Sequence, residues 1–335
     1  MKFSHWLLPV LCLLLAAPAL AQSPSQTATP LGGERPGPAL TVVCSTTQVA
    51  DFARQVGGAR VAVQSILAPG ADPHTYQPTP GDGRIVVRAD ICLENGLHLE
   101  GNDWMGKLAG DAGRPVVACA EGVQPLQMAY DGRQVLDPHA WFSPRNVAVY
   151  VNNVVRALSA ADPAGKTEYE DRARLYLQQL RVLDAWIRRV VGRIPPRKRL
   201  LVTSHDAFNY FCREYGFNPE HGYMSLAPVG WSTGRDVGGG MTPESRKKVI
   251  GSIRGYGAKA VFVESSVNPK TIREIAREAG VRIGGELYSD SMGKAGSAGE
   301  TYIGMMRENV ITIVNAIGEA AEPASAASAA DAGGE

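Results

Sequence analysis

The stretch PAGKTEYEDRARLYLQQLRVLDAWIRRVVGRI, residues 163–194, decides the architecture. Its apolar positions Tyr169, Leu175, Leu180, Leu183, Ile187 and Val190 recur at roughly helical spacing among many charges. This predicts one long helix, ended by Pro195-Pro196. Short apolar and β-branched runs lie on both sides of it, at 40–44, 61–67, 91–94 and 115–119 before it and at 199–203, 260–264 and 282–287 after it. Such runs alternating with amphipathic helices read as parallel strands covered on both faces. The expected fold is therefore α/β, with two lobes, each a parallel sheet flanked by helices, joined by one long bridging helix. That helix should limit how far the lobes rotate. Thr242-Pro243-Glu244 and Asn268-Pro269 each place a capping side chain ahead of a first-turn proline.

At the start of the chain, Lys2, an apolar stretch from Trp6 to Ala16 and the exit Ala19-Leu20-Ala21 have the layout of a secretory signal peptide cut before Gln22. Cys12 sits between Leu11 and Leu13 with no small residue before it. It is thus a poor lipid-attachment site, and the reading is a soluble exported protein rather than a lipoprotein. Segments 22–38 and 319–335 are dominated by small, polar and helix-breaking residues and read as flexible tails. The expected boundaries are 1–21 signal peptide, 22–38 flexible segment, 39–162 N-terminal lobe, 163–194 bridging helix, 195–318 C-terminal lobe and 319–335 disordered tail.

Bulk composition narrows the function classes. The 335 residues carry 34 Lys+Arg against 33 Asp+Glu, so there is no electrostatic footprint for nucleic acid. Beyond the signal peptide no segment approaches about 20 apolar residues, so no membrane span is expected. Four cysteines remain after processing, Cys44, Cys92, Cys119 and Cys212, with no CxxC spacing, and their disulfide state stays open.

Chemistry concentrates in the histidines, of which there are six. Two Asp-Pro-His tripeptides occur, Asp72-Pro73-His74 and Asp137-Pro138-His139, where proline stiffens the loop that presents each imidazole. His205 follows the run 199–203, and Asp290 follows the run 282–287. Open parallel sheets bind ligands beyond the carboxyl ends of their strands, and two of these four residues come from each lobe. Three imidazoles and one carboxylate suit a first-row divalent ion. A loop histidine taken singly is more often a hydrogen-bonding turn residue, and Asp290 alone also suits a cap for a helix from Ala298 onward; it is their joint placement that favours ligation. Glu264 ends its own run and competes for a place among the direct ligands, but is assigned to hydrogen-bond a ligand or a loop. His98 reads as structural at a helix start, and His221 has no assigned use.

These segments resemble the metal-receptor class of ABC-transporter substrate-binding proteins. The resemblance runs through Gly70-Ala71-Asp72-Pro73-His74-Thr75-Tyr76, Asp137-Pro138-His139-Ala140-Trp141, Val202-Thr203-Ser204-His205-Asp206, Phe262-Val263-Glu264-Ser265-Ser266, Tyr288-Ser289-Asp290-Ser291 and Glu300-Thr301-Tyr302-Ile303-Gly304-Met305-Met306, in the family's order. It implies the two-lobed fold, His74, His139, His205 and Asp290 as metal ligands, and a membrane permease with its ATPase as partners. Some members of the class have glutamate at the third position, an exchange associated with manganese or iron; here it is His205. The long His- and acid-rich loop of many zinc receptors is absent between His74 and His139, and Ser232-Thr233-Gly234-Arg235 departs from the usual Ser-Thr-Glu before Gly238-Gly239-Gly240.

The expectation is a non-enzymatic, monomeric periplasmic receptor that carries Zn2+, or next Mn2+, as transported ligand to an ABC importer. Two rivals are a secreted zinc hydrolase and a metal-independent surface adhesin. The hydrolase needs an open metal position for water, and the chain has neither an HExxH nor a Gly-x-Ser-x-Gly element.

Overall fold

The computed structural model describes residues 40–130, 133–227 and 243–318. The signal peptide, both tails and the segment containing Ser232 to Gly240 lie outside the described residues. In chain order the elements are β1 (Leu40–Cys44), α1 (Thr47–Gly57), β2 (Val61–Ser65), α2 (Pro80–Val86), β3 (Ile91–Glu94), α3 (Trp104–Asp111), β4 (Val116–Ala118), β5 (Gln127–Tyr130), β6 (Arg133–Leu136), α4 (Pro144–Ala161) and α5 (Lys166–Val191). After these come α6 (Asn209–Tyr215), α7 (Pro243–Gly255), β7 (Ala260–Glu264), α8 (Lys270–Ala279), β8 (Arg282–Leu287) and α9 (Tyr302–Gly318).

Before α5, one sheet runs in the order β2-β1-β3-β4 with every pairing parallel. The central strand β1 is Leu-Thr-Val-Val-Cys, and its Val42, Val43 and Cys44 are fully buried, as expected of a strand covered by helices on both faces. After α5, β7 and β8 pair in parallel. Gly284 and Gly285 in β8 let α9 approach the strand, because a Cβ at either position would lie within 2.8 Å of Ala316 or Thr312.

The bridging helix is present as α5, preceded by a turn of 3-10 helix at Pro163–Gly165. Its buried seam is Tyr169, Ala173, Tyr176, Leu180, Leu183, Ile187 and Val191, with the three- and four-residue steps of a packed helix. The expected stripe was partly misplaced, since Leu175 faces solvent at 62% exposure. On this seam α5 packs against α1, α4, α6 and α9, and a single buried core continues from Val42 through α5 to Ile317. Truncating a seam residue such as Leu183 to Ala should cost about 2–5 kcal/mol.

Other expectations need correction. The run 199–203 does not form a strand; Val202 makes one parallel bridge to Leu226 and accepts one bond from Phe262 N–H. The side chain of Asn218 takes the N–H of Leu201 and shares its C=O with Leu226 N–H, so that N–H is lost to any longer ladder. The antiparallel hairpin β5–β6 was not foreseen; the two residues between its strands, Asp131 and Gly132, lie outside the described residues. His98 is exposed with φ 64°, in a turn rather than at a helix start. Asp290 does not cap α9: Tyr302 N–H donates to Asp51 and Gly304 N–H to the Thr301 hydroxyl. The cysteines Cys44, Cys92, Cys119 and Cys212 are free and buried. No helix among the described residues is long and apolar enough to cross a membrane.

Candidate metal centre

Each of the four predicted residues sits on a loop that leaves one of the elements above. His74 lies between β2 and α2, and His139 between β6 and α4; His205 follows the bridge at Val202, and Asp290 follows β8. The structure brings all four together. Each offers one ligand atom, these atoms lie within 4.8 Å of one another, and all four residues are 2% exposed or less.

The imidazoles meet through Nε2. His74 Nε2 is 3.2 Å from His139 Nε2; Asp290 Oδ1 is 3.4 Å from His139 Nε2, and Asp290 Oδ2 is 3.1 Å from His205 Nε2. Ligands bound at about 2.0–2.1 Å in a tetrahedron are about 3.3 Å apart, so this spacing suits a zinc-sized ion with little rearrangement. Converging donors at this distance in a dry pocket repel one another unless a proton or a cation lies between them.

The far side of two rings is fixed by carboxylates. Asp137 Oδ1 accepts the His139 backbone N–H at 2.9 Å and lies 2.7 Å from His139 Nδ1. Glu264 Oε1 accepts the His205 backbone N–H at 2.9 Å, while Oε2 is 2.6 Å from His205 Nδ1. Glu264 thus holds the His205 loop and faces its ring. Asp137 was missed, although an aspartate two residues before a loop histidine is placed to bind that residue's own N–H. Outer partners of this kind fix the tautomer, directing the Nε2 lone pair inward.

The lobes also hold each other's loops. Around Asp290, Gln48 Nε2 donates to Ser289 O at 3.0 Å, Met292 N–H donates to the Thr47 hydroxyl at 2.9 Å, and Gly70 N–H donates to the Ser291 hydroxyl at 2.7 Å. Asp290 itself accepts from Ser266 Oγ at 3.3 Å. Of the remaining histidines, His221 packs edge-on against Tyr256, away from the centre.

Electrostatics follow from this geometry. Burial pushes the His74 pKa down to about 3, with Asp290 only partly opposing it. Burial also opposes charge on His139, but Asp137 and Asp290 outweigh it and raise its pKa to about 9. His205 is raised well above the ordinary range because Asp290 and Glu264 overcome its desolvation. Burial favours a neutral Asp290, yet His205 and His139 hold its carboxyl well below the usual range. The carboxylates thus favour a proton on His139 and on His205, which a divalent cation would have to displace.

Comparison with known proteins identifies the family. The family model described as zinc-uptake complex component A, periplasmic, matches residues 42–316. The chain is 38% identical to the manganese-binding lipoprotein MntA of Bacillus subtilis, across 83% of this chain and 90% of that protein. It is 31% identical to the manganese ABC transporter substrate-binding lipoprotein PsaA of Streptococcus pneumoniae, across 83% and 89%. Among solved structures, the periplasmic zinc-binding protein TroA of Treponema pallidum superposes with a TM-score of 0.76 at 34% identity, covering 84% of this chain and 99% of that one. That match carries the two-lobed α/β architecture as a whole. Because the family match runs from β1 into α9 and takes in all four converging residues, this chain belongs to the family of periplasmic component A proteins of zinc-uptake complexes.

Proposed function

We propose that this protein captures a divalent transition metal between its lobes and delivers it to the permease and ATPase of an ABC importer. The observation that carries this reading is the convergence of three imidazole Nε2 atoms and the Asp290 carboxylate in a buried pocket. His74, His139, His205 and Asp290 are the proposed ligands, and the metal is cargo. The family is one of solute receptors, not enzymes, and the hydrolase reading is set aside on that ground. A four-ligand set that fills a tetrahedron also leaves no position for a catalytic water.

Zinc is the favoured cargo and manganese the next, since three nitrogens and one oxygen match zinc, while a bidentate Asp290 would admit the larger coordination number of manganese. Relatives named for each metal support keeping both. The lobes are taken as 39–162 and 195–318, joined by 163–194. The working form is a periplasmic monomer released from a signal peptide before Gln22, on the layout of residues 1–21.

Equilibrium titration of the stripped mature protein with Zn(II) and with Mn(II) tests the reading. Sub-micromolar zinc binding that is lost in His139→Ala is expected. Tight Mn(II) binding with weak Zn(II) binding would reverse the cargo assignment, and no tight binding of either ion would overturn the function.

A further inference from the structure

Asp137, which orients His139, is itself held from the other lobe. Asn209 opens α6, reached from His205 across the turn Asp206–Phe208, and its Nδ2 donates to Asp137 Oδ2 at 3.0 Å. The orientation of this amide is forced. Asn209 Oδ1 accepts the Ser225 backbone N–H at 2.8 Å and the Ser225 hydroxyl at 2.9 Å, and a backbone N–H can only donate. The NH2 group must therefore face Asp137. Next to it, the Tyr210 hydroxyl donates to Asp137 O at 2.8 Å. Asn209 and Asp137 are both buried to 1% exposure or less, so water does not replace this bond.

We infer that Asn209 is a positioning residue of the metal centre: a C-terminal-lobe amide that fixes the Asp137 carboxylate, and through it the His139 ring, from a site four residues after the ligand His205. By occupying Oδ2 it leaves Oδ1 to the imidazole and sets the plane of the carboxylate. His139 and His205 then keep their relation because one short stretch of chain supports both. This inference rests on the proposed metal-receptor function.

The test uses the full mature protein and Zn(II) alone. Asn209→Asp keeps an acceptor for Ser225 but opposes an oxygen to Asp137 Oδ2; it is expected to weaken zinc binding about tenfold, the lower end of what outer partners contribute. Ser225→Ala removes only the hydroxyl on the other side of the amide and is expected to bind within about twofold of wild type. In an Asp137→Asn background, Asn209→Asp should cost little more, because both changes break one linkage; a merely structural role would give additive losses. If Asn209→Asp does not fold, Asn209→Ser, whose hydroxyl is one bond shorter, should show the same loss. Zinc affinity of Asn209→Asp within twofold of wild type, equal losses in Ser225→Ala, or additivity with Asp137→Asn would each overturn the inference. These outcomes leave wild-type zinc binding intact, whereas failure of the function itself would appear as no zinc binding in wild type.

Discussion

At residues 72–74 and again at 137–139 the chain builds the same Asp-Pro-His tripeptide, and the two copies hold their histidines in different ways. Asp72 accepts the His74 backbone N–H at 2.8 Å through Oδ1 and the Thr75 hydroxyl at 2.7 Å through Oδ2. Asp137 accepts the His139 backbone N–H in the same manner, but its Oδ1 also meets the His139 ring and its Oδ2 takes Asn209. The next residue accounts for the divergence. Thr75 supplies a hydroxyl to Asp72, whereas Ala140 has none to offer Asp137. One aspartate shapes its own loop; the other reaches the imidazole and the opposite lobe.

His74 is supported by backbone instead. Trp104 Nε1 donates to Pro73 O at 3.0 Å, and Gly101 lies so close that a Cβ there would fall 1.9 Å from His74 O. These contacts fix the main-chain path that carries His74, while a charged partner faces Nδ1 of the His139 ring. Neutralising the two aspartates should separate these modes most clearly. Asp137→Asn is expected to weaken zinc binding about 10- to 100-fold, as loss of a carboxylate behind a ligating histidine does, and it sets the new amide against Asn209 Nδ2. Asp72→Asn should change the dissociation constant no more than about threefold, because its contacts are local turn bonds. Equal effects in a competitive zinc titration would erase the distinction between the loops.

A second contrast lies in the protons. His139 is raised to about 9 in the metal-free centre and His74 is lowered to about 3, so at neutral pH the first carries a proton and the second does not. Coordination requires neutral imidazole, and the metal must displace the proton from His139 and from His205, whose pKa Asp290 and Glu264 also raise. The sign follows: affinity rises with pH through about 9, the His139 value, and falls on acidification, by about tenfold per pH unit for each proton displaced. Ligand chemistry alone sets the onset of this fall near pH 6.5; the paired carboxylates move it upward. Buffer-dependent calorimetry would count the released protons, and affinity flat between pH 7 and 8 would contradict the assignment.

The two loops also show what a sequence makes legible. The four converging residues could be read because a repeated tripeptide and strand-terminal loops are local signals. β1, β3, β7 and β8 were legible as apolar runs at their observed bounds. Asn209 was not, because its partner is 72 positions away and nothing near Asn209 marks it. The hairpin was missed for a different reason: Gln127–Tyr130 and Arg133–Leu136 hold only Val135 among β-branched residues, and pairing with each other rather than propensity makes them strands. The failed strand at 199–203 has the propensity, but Asn218 competes for its backbone.

Smaller effects should arise where His74 is held by backbone. Gly101→Ala forces Cβ against His74 O, so either the loop or the turn Gly101–Asp103 must shift. Overpacking of this kind typically costs about 1–3 kcal/mol. A displaced His74 should show as a several-fold weaker zinc constant, while the same change leaves the His139 side untouched. A crystal structure of the variant with His74 unmoved and affinity unchanged would show that the close approach is incidental.

Trp104→Phe removes a single donor. Pro73 O loses the indole N–H, and the ring that packs edge-on against Tyr76 at 5.1 Å is exchanged for a smaller one in the same aromatic neighbourhood. Loss of a buried hydrogen bond with most of the apolar contact retained should cost about 1–2 kcal/mol of stability. That corresponds to a fall of about 2–4 °C in Tm per kcal/mol for a folded region of this size. Because Gly101 still bounds the loop, zinc affinity should move by less than about twofold. A large affinity loss with an unchanged Tm would mean that the indole N–H, and not the close backbone approach at Gly101, sets the position of His74, making the two Asp-Pro-His loops alike in depending on one polar bond.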